Sequence, residues 1–485
     1  QDGSPEQESL LEELRAEGLG AEEIALWTTQ ELTLQNVLSF KVSQGVEVKA
    51  LVWECLPIFT HLSPQTAYEQ LTAIGVSCIL DDSAKGLMHH PVEALHQKIS
   101  VIDGTHAFVG GIDLLIDNDG DYDRWDMHRH HYSSDLRRNQ QTRDPHPWHD
   151  AHAILEGTAV GDVELNFRQR WNNVVERHKM DRALLIPERP MPAPKDSRSV
   201  VQVVRTIPEH TYDFDPDPGI QGIAQVYVHA LANAQRFVYL ENQYFWLHAY
   251  FGLDIAAIGL DSPDMERNIR ELGAALQRGA TVSIILPDHP NVGRAFTDAG
   301  LERLRQEAPD AAAQGRLQVF CLATSMNLDG AELYRPIYVH AKVAVIDDTF
   351  STVGSGNLNN RGMRDDTEMN VAVLDSRLAH GLRMMLVAEH LGLYDEDELL
   401  MISRHLGNQR QRAEREQRAI EMLAVLEEQF GNPRVALEMM VANARENMRR
   451  YQAHQPLVGH LLPYFTYAEA QRAELRCNED SGWLE

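Results

Sequence analysis

One polar pattern occurs twice in this chain and constrains it more than any other feature: His, any residue, Lys, four residues, Asp. It reads His96, Lys98, Asp103 within ALHQKISVIDG (94–104) and His340, Lys342, Asp347 within YVHAKVAVIDD (338–348). The copies lie 244 positions apart, each in an apolar, strand-like run. Lysine is scarce, seven residues against 37 arginines, yet two of the seven sit in the pattern. Composition alone would yield on the order of a few hundredths of one match, so two are not noise.

The flanking segments repeat in the same order. QGVEVKALVWE (44–54) answers RGATVSIILPD (278–288), and GVSCILDD (75–82) answers RLQVFCLAT (316–324). After the motifs, GTHAFVGGID (104–113) answers DTFSTVGSGN (348–357). Short apolar strands alternating with helical stretches indicate an α/β fold. The pattern predicts two pseudo-symmetric α/β/α lobes with mixed sheets, over 1–185 and 200–376. A proline-rich linker (186–199) joins them, and a helical C-terminal extension (377–485) braces the second. RFVYLENQYF (236–245) has no counterpart in the first half, where residues 1–30 are acidic and helix-prone. The first lobe is therefore expected to lack its N-terminal strand.

The bulk properties narrow the function. A net charge of −28 argues against holding a nucleic acid, which calls for a basic stripe. No run approaches the roughly 18 apolar residues of a membrane span. The four cysteines form no C-x-x-C pair and read as buried thiols, not as a zinc site or a disulfide framework.

In a strand, residues i and i+2 share a face. His96 projects with Lys98, and His340 with Lys342. A His beside a Lys makes little sense in a core. Two such couples meeting at one point suit a phosphodiester. The lysines would hold non-bridging oxygens; one imidazole would attack phosphorus and the other would protonate the leaving alcohol. Lysine supplies the positive charge, so no metal or other cofactor is called for. HRHHY (128–132) fits no standard metal-ligand spacing and reads as a loop. LHAYFGLDIAAIGL (247–260) reads as a buried loop-helix, with a lipid-dipping lip as the functional alternative.

The two motifs, each followed by a Gly-rich turn, resemble the phospholipase D superfamily. PWHDAHAILEGTAVGDVELNFRQRW (147–171), YLENQYF (239–245), AEHLG (388–392) and GHLLPY (459–464) resemble its phosphatidyl-hydrolysing, eukaryotic-like branch. The resemblance implies a phospholipase D that acts peripherally on a phospholipid membrane surface or micelle, with a monomer sufficient for the site. A phospholipid synthase, a nuclease and a retired scaffold are the competing classes. It implies His96 as nucleophile and His340 as general acid, with Lys98, Lys342, Asp103, Asp347 and Asn357 in the catalytic set. Glu368 matches the carboxylate that orients His340. Asp126 is the match for His96, with Asp121 and Asp123 competing. Substrate contacts are expected at Gly111, Asp113, Ser355, Trp148 and His149.

Overall fold

The computed structural model describes residues 11, 14–15, 18–29, 33–55, 63–84, 93–113, 147–190, 193, 199–250, 260–290, 292–478 and 482–484. The first half runs through α1 (Ala21–Thr29), α2 (Leu34–Ser43), β1 (Lys49–Trp53), α3 (Pro64–Ala73), β2 (Ser77–Asp81), β3 (Ile99–Ile102), β4 (His106–Gly110), β5 (Trp148–His149), β6 (His152–Glu156) and α4 (Ala159–Arg177). The second half contains β7 (Val200–Ile207), β8 (Ile220–Gln221), α5 (Gly222–Ala232), β9 (Phe237–Asn242), α6 (Pro263–Gln277), β10 (Thr281–Ile285), α7 (Arg294–Glu307), α8 (Pro309–Ala313), β11 (Leu317–Leu328), β12 (Ala331–Val339), β13 (Lys342–Ile346), β14 (Phe350–Gly354) and β15 (Glu368–Leu374). It is followed by α9 (Ser376–His390), α10 (Glu396–Leu406), α11 (Ala413–Phe430), α12 (Pro433–Gln452), β16 (Leu461–Pro463) and α13 (Tyr467–Arg472).

Most strands join one mixed sheet in the order β5-β12-β11-β10-β9-β13-β14-β15-β7-β8, with β16 on β11. The motif strand β13 lies at its centre, antiparallel to both β9 and β14. All five of its residues are buried, as expected for a strand covered on both faces. The two-residue period sorts them. Ala344 and Ile346 pack with Val238 and Leu240 of β9 against α5, α6 and α7. Val343 and Val345 pack with Phe237 and Tyr239 against α9 to α12. The sheet is thus sandwiched between helical layers, a mixed α/β fold.

The first half forms two smaller sheets, β1–β2 and β3–β4–β6. Among the described residues, β1 pairs only with β2 and β3 only with β4. In the second half, β9 lies between β10 and β13.

The repeat is exact in register where the site forms. Gly110 of β4 faces His152 of β6, and Gly354 of β14 faces Asn370 of β15. Two residues upstream of these partners stand Asp150 and Glu368, which makes the two carboxylates equivalent. Ala107 and Val109 of β4 pack directly on Met369, Val371 and Val373 of β15. This shared apolar face joins the halves, and each fully buried valine or methionine in it contributes about 1.5–3 kcal/mol. Residues 128–132 and 251–259 lie outside the described residues. Phe245, Trp246, Leu247 and Ala249, just before the second of these, are buried.

Candidate active site

Each motif begins just before its strand. Lys342 is the first residue of β13, and His340 precedes it. His96 and Lys98 lead into β3. A two-residue period would put them inside the strands. They stop short because the backbone at each His pairs with the opposite half instead. His96 N–H donates to Thr367 O (2.9 Å), with Leu95 and Thr367 bridged in parallel. His340 N–H donates to His149 O (2.8 Å), where β12 meets β5 in parallel. Leu95 thus corresponds to Val339 and Thr367 to His149.

The next residue along each opposing strand supplies a carboxylate. Glu368 reaches Nδ1 of His96 with both oxygens, at 2.9 and 3.0 Å. Asp150 reaches Nδ1 of His340 at 2.7 Å. The carboxylates are exchanged between the halves. This corrects two expectations. Glu368 orients His96, not His340, because its strand docks on the first motif. Asp126, Asp121 and Asp123 lie outside the described residues, and Glu368 holds the place on His96 that Asp126 was expected to take. Asp150 was missed as a site residue, although it stands within the PWHD segment.

The surroundings of the two carboxylates differ. Ser355 donates its hydroxyl to Glu368 at 2.5 Å. Gly111 is the counterpart of Ser355, and a Cβ there would lie 2.2 Å from Oδ1 of Asp150. Ser355 and Gly111 therefore shape the dyads; their expected role in touching substrate is not what their contacts show. Trp148 packs its ring 5.2 Å from that of His340 and bolsters it from the side. His149 is wholly buried and gives its Nε2 to Glu241 at 2.7 Å, so its ring faces the interior carboxylate where a substrate contact was expected.

Each lysine folds back on its own motif: Lys98 Nζ donates to His96 O at 2.8 Å, and Lys342 Nζ to His340 O. Asp113 pairs with Lys98 at 3.3 Å. In the other half Gln243 accepts from Lys342 at 3.1 Å and from Asn357 at 3.2 Å. Gln243 also escaped the sequence reading; its place in YLENQYF was the available signal.

Burial pushes the Lys342 ammonium down to about 8, with Lys98 adding to the effect against Asp150 and Glu368. Charges from both halves are thus felt at one ammonium. Burial likewise lowers His340 to about 4, reinforced by Lys342 and opposed by Asp150. Burial works against the Asp150 anion, but His340 and Lys342 outweigh it and hold the carboxyl below its ordinary range.

The motif aspartates lie apart from this chemistry. Asp347 and Asp103 occupy the same left-handed turn, at φ 55° and 54°. The Asp347 carboxylate accepts the N–H groups of Gln235, Arg236 and Phe237 at 2.7, 2.8 and 2.9 Å. Asp103 is exposed. Neither has the catalytic role expected of it, because the turn carries both past the far end of the strand; Asp347 has a structural role there, which Asp103 does not share.

A family model described as "Phospholipase D" matches residues 24–256 and 316–479. The chain belongs to the phospholipase D family. A second model, "Cardiolipin synthase, PLD-like domain", matches residues 227–386. Phospholipase D alpha 1 of Ricinus communis is 28% identical across 76% of this chain and 60% of its own length. Phospholipase D A of Dictyostelium discoideum is 25% identical across 74% of this chain and 32% of its own. The chain spans about 60% of the length of the plant phospholipases D it matches. Phosphatidylserine synthase of Haemophilus influenzae, at 14% identity and a TM-score of 0.42 over 71% of this chain and 73% of its own, is too remote to bear on the reading. Among the described residues, no helix of this phospholipase D family member is long and apolar enough to cross a membrane.

Proposed function

We propose that the protein hydrolyses the distal phosphodiester of glycerophospholipids, releasing phosphatidate and the free head-group alcohol through a phosphohistidine. The observation that carries this reading is the pair of exchanged His–carboxylate dyads with a lysine beside each histidine. With Nδ1 of each ring taken by a carboxylate, Nε2 is the nitrogen left for chemistry. His96 Nε2 attacks phosphorus while the bond to the head-group oxygen breaks, and His340 Nε2 gives that oxygen its proton. Water then attacks phosphorus, His340 takes the water proton, and the P–N bond breaks. An alcohol in place of water gives phosphatidyl transfer by the same steps.

The lysines stabilise the charge on the five-coordinate phosphorus. Before substrate binds, burial disfavours the charged form of His340. A bound phosphodiester adds the negative charge that draws a proton onto it. Asp113 and Asn357, equivalent positions beside the two lysines, set the local charge to different values.

The test is phosphatidate release from phosphatidylcholine mixed micelles. His96→Ala and His340→Ala should each lose at least about 10²–10⁴-fold. Brief acid quench with lipid labelled in the phosphatidyl moiety should trap label on the wild type and not on His96→Ala. Equal activity in all three proteins would refute the reading.

A further inference from the structure

Four segments carried the resemblance outside the motifs, and the dyads account for only part of them. The structure brings the rest together. Glu241 on β9 is completely buried between two imidazoles. His149 Nε2 lies 2.7 Å from one of its oxygens, and His390 Nε2, at the end of α9, lies 2.7 Å from the other. Tyr239 donates its hydroxyl to the Glu241 oxygen that faces His390. His390 O in turn accepts the N–H of His460 at 2.8 Å. One polar cluster therefore links PWHD, YLENQYF, AEHLG and GHLLPY.

The location of the cluster is informative. His149 is the residue immediately before Asp150, and its carbonyl holds the backbone of His340. Glu368, the equivalent of Asp150, opens a seven-residue strand paired on both sides, with β14 and β7. It also receives the Ser355 hydroxyl. Asp150 follows a strand of only two residues and has Gly111 where a hydroxyl would be. In place of that ladder and hydroxyl, Asp150 has the neighbouring His149, whose ring is anchored on Glu241 and whose carbonyl accepts the N–H of His340.

The charge state fits a relay of protons held in place. Burial opposes a charged His149, but Glu241 and Glu389 outweigh it and raise the ring to about 9. Burial lowers His390, and its Nδ1 has no partner among the described residues. The three donors also fall within 4.8 Å of one another, the compass of a metal ion. The two 2.7 Å contacts are hydrogen-bond lengths, however. Donors about 2.0–2.1 Å from a shared tetrahedral ion stand roughly 3.3 Å apart.

We propose that His149, Glu241 and His390 are positioning residues for Asp150, and through it for the proton that His340 gives to the leaving alcohol. None of them touches a reacting nitrogen. The inference rests on the proposed phosphodiester cleavage and deepens it.

The experiment compares kcat/KM, which reports the first irreversible step, on two substrates. Phosphatidylcholine has a leaving alcohol that must be protonated; phosphatidyl-p-nitrophenol has one that leaves without help. Glu241→Gln should lower kcat/KM on phosphatidylcholine about 10–100-fold, part of the roughly 10²–10⁴-fold that a general acid contributes. On phosphatidyl-p-nitrophenol the loss should stay within about 3-fold. Added to Asp150→Asn, it should cost nothing further, because both act on one proton. His390→Gln, which keeps a donor to Glu241, should retain most of the activity; His390→Leu, which removes that donor, should show the same substrate-dependent loss and takes the place of Glu241→Gln if that variant does not fold. Equal losses on the two substrates, or additive losses with Asp150→Asn, would overturn the proposal. So would stoichiometric zinc in the purified wild type that Glu241→Gln lacks. An inactive wild type would instead sink the functional reading on which the proposal stands.

Discussion

Changing Asp150 to Asn tests the exchange of carboxylates at one atom. The side chain is fully buried and its Oδ2 lies 2.7 Å from Nδ1 of His340. A buried hydrogen bond to a charged group contributes about 1.5–3 kcal/mol, or roughly 10–10² in the population of a protonated His340. The amide does further damage. Its NH₂ donates to Nδ1 and forces the remaining proton onto Nε2, leaving a neutral ring that is a far weaker acid. The full contribution of a general acid is about 10²–10⁴-fold, so a loss of about 10³ in kcat/KM is expected. Phosphatidate release from phosphatidylcholine micelles is the assay, with thermal unfolding to confirm an intact fold. Glu368→Gln should also inactivate, but through His96 and the trapped phosphohistidine. Asp126→Asn should remain within about 3-fold of wild type. An Asp150→Asn enzyme with a third of normal activity, or an Asp126→Asn enzyme as impaired as it, would refute the exchange.

Gly111→Ala should fall about 10²-fold in kcat, because its Cβ would meet Asp150 Oδ1 at 2.2 Å and turn the carboxylate off His340; wild-type turnover would show that the carboxylate need not move. Asp347→Ala should lower unfolding free energy by about 2–3 kcal/mol, since three N–H groups lose a charged acceptor, while Asp103→Ala leaves the urea midpoint unchanged; equal losses would break the contrast. Stability should fall as pH rises from about 6.5 to 8. Burial, together with nearby acids at Glu93, raises Glu93 and Glu389 to about 8, and Glu241 and Glu389 raise His149 to about 9. All three folded values lie above the unfolded ones, so the folded state keeps protons that the unfolded state releases. Each such proton contributes at most about 1.4 kcal/mol per pH unit. Above pH 8 the depressed Lys342 opposes the trend. Thermal melts should show the slope, and Glu389→Gln should flatten it; a melting point that rises across this window would contradict the assignment.

The two His–Lys couples were legible because their spacing is local to each motif, although each histidine stands just ahead of its strand. The alternation of Val343 and Val345 with Ala344 and Ile346 likewise predicts a strand buried on both sides. The exchange was not legible, because it depends on which strand docks where. In the second half Glu368 follows Gly354 by 14 residues; in the first, Asp150 follows Gly110 by 40. The insertion hides an equivalence that is plain once β4 and β6 are paired. Asp347 misled for a related reason. Its spacing within the motif is as regular as that of the lysine, but regular spacing also serves a turn that ties one strand to the next. Glu241 and His390 stood in segments that carried the resemblance, YLENQYF and AEHLG, but nothing local joined them to each other or to His149, since the three lie in different elements.

The swap of carboxylates leaves neither half self-sufficient. A shorter chain with one motif would own a histidine lacking its orienter and an orienter lacking its histidine. Two identical copies facing each other across a two-fold axis would complete both at once. Fusing the copies into a single polypeptide removes the demand for identity, and this chain shows the freedom that follows: a glutamate braced by a serine on one side, an aspartate given room by a glycine on the other, and so one catalytic centre with two unlike ends.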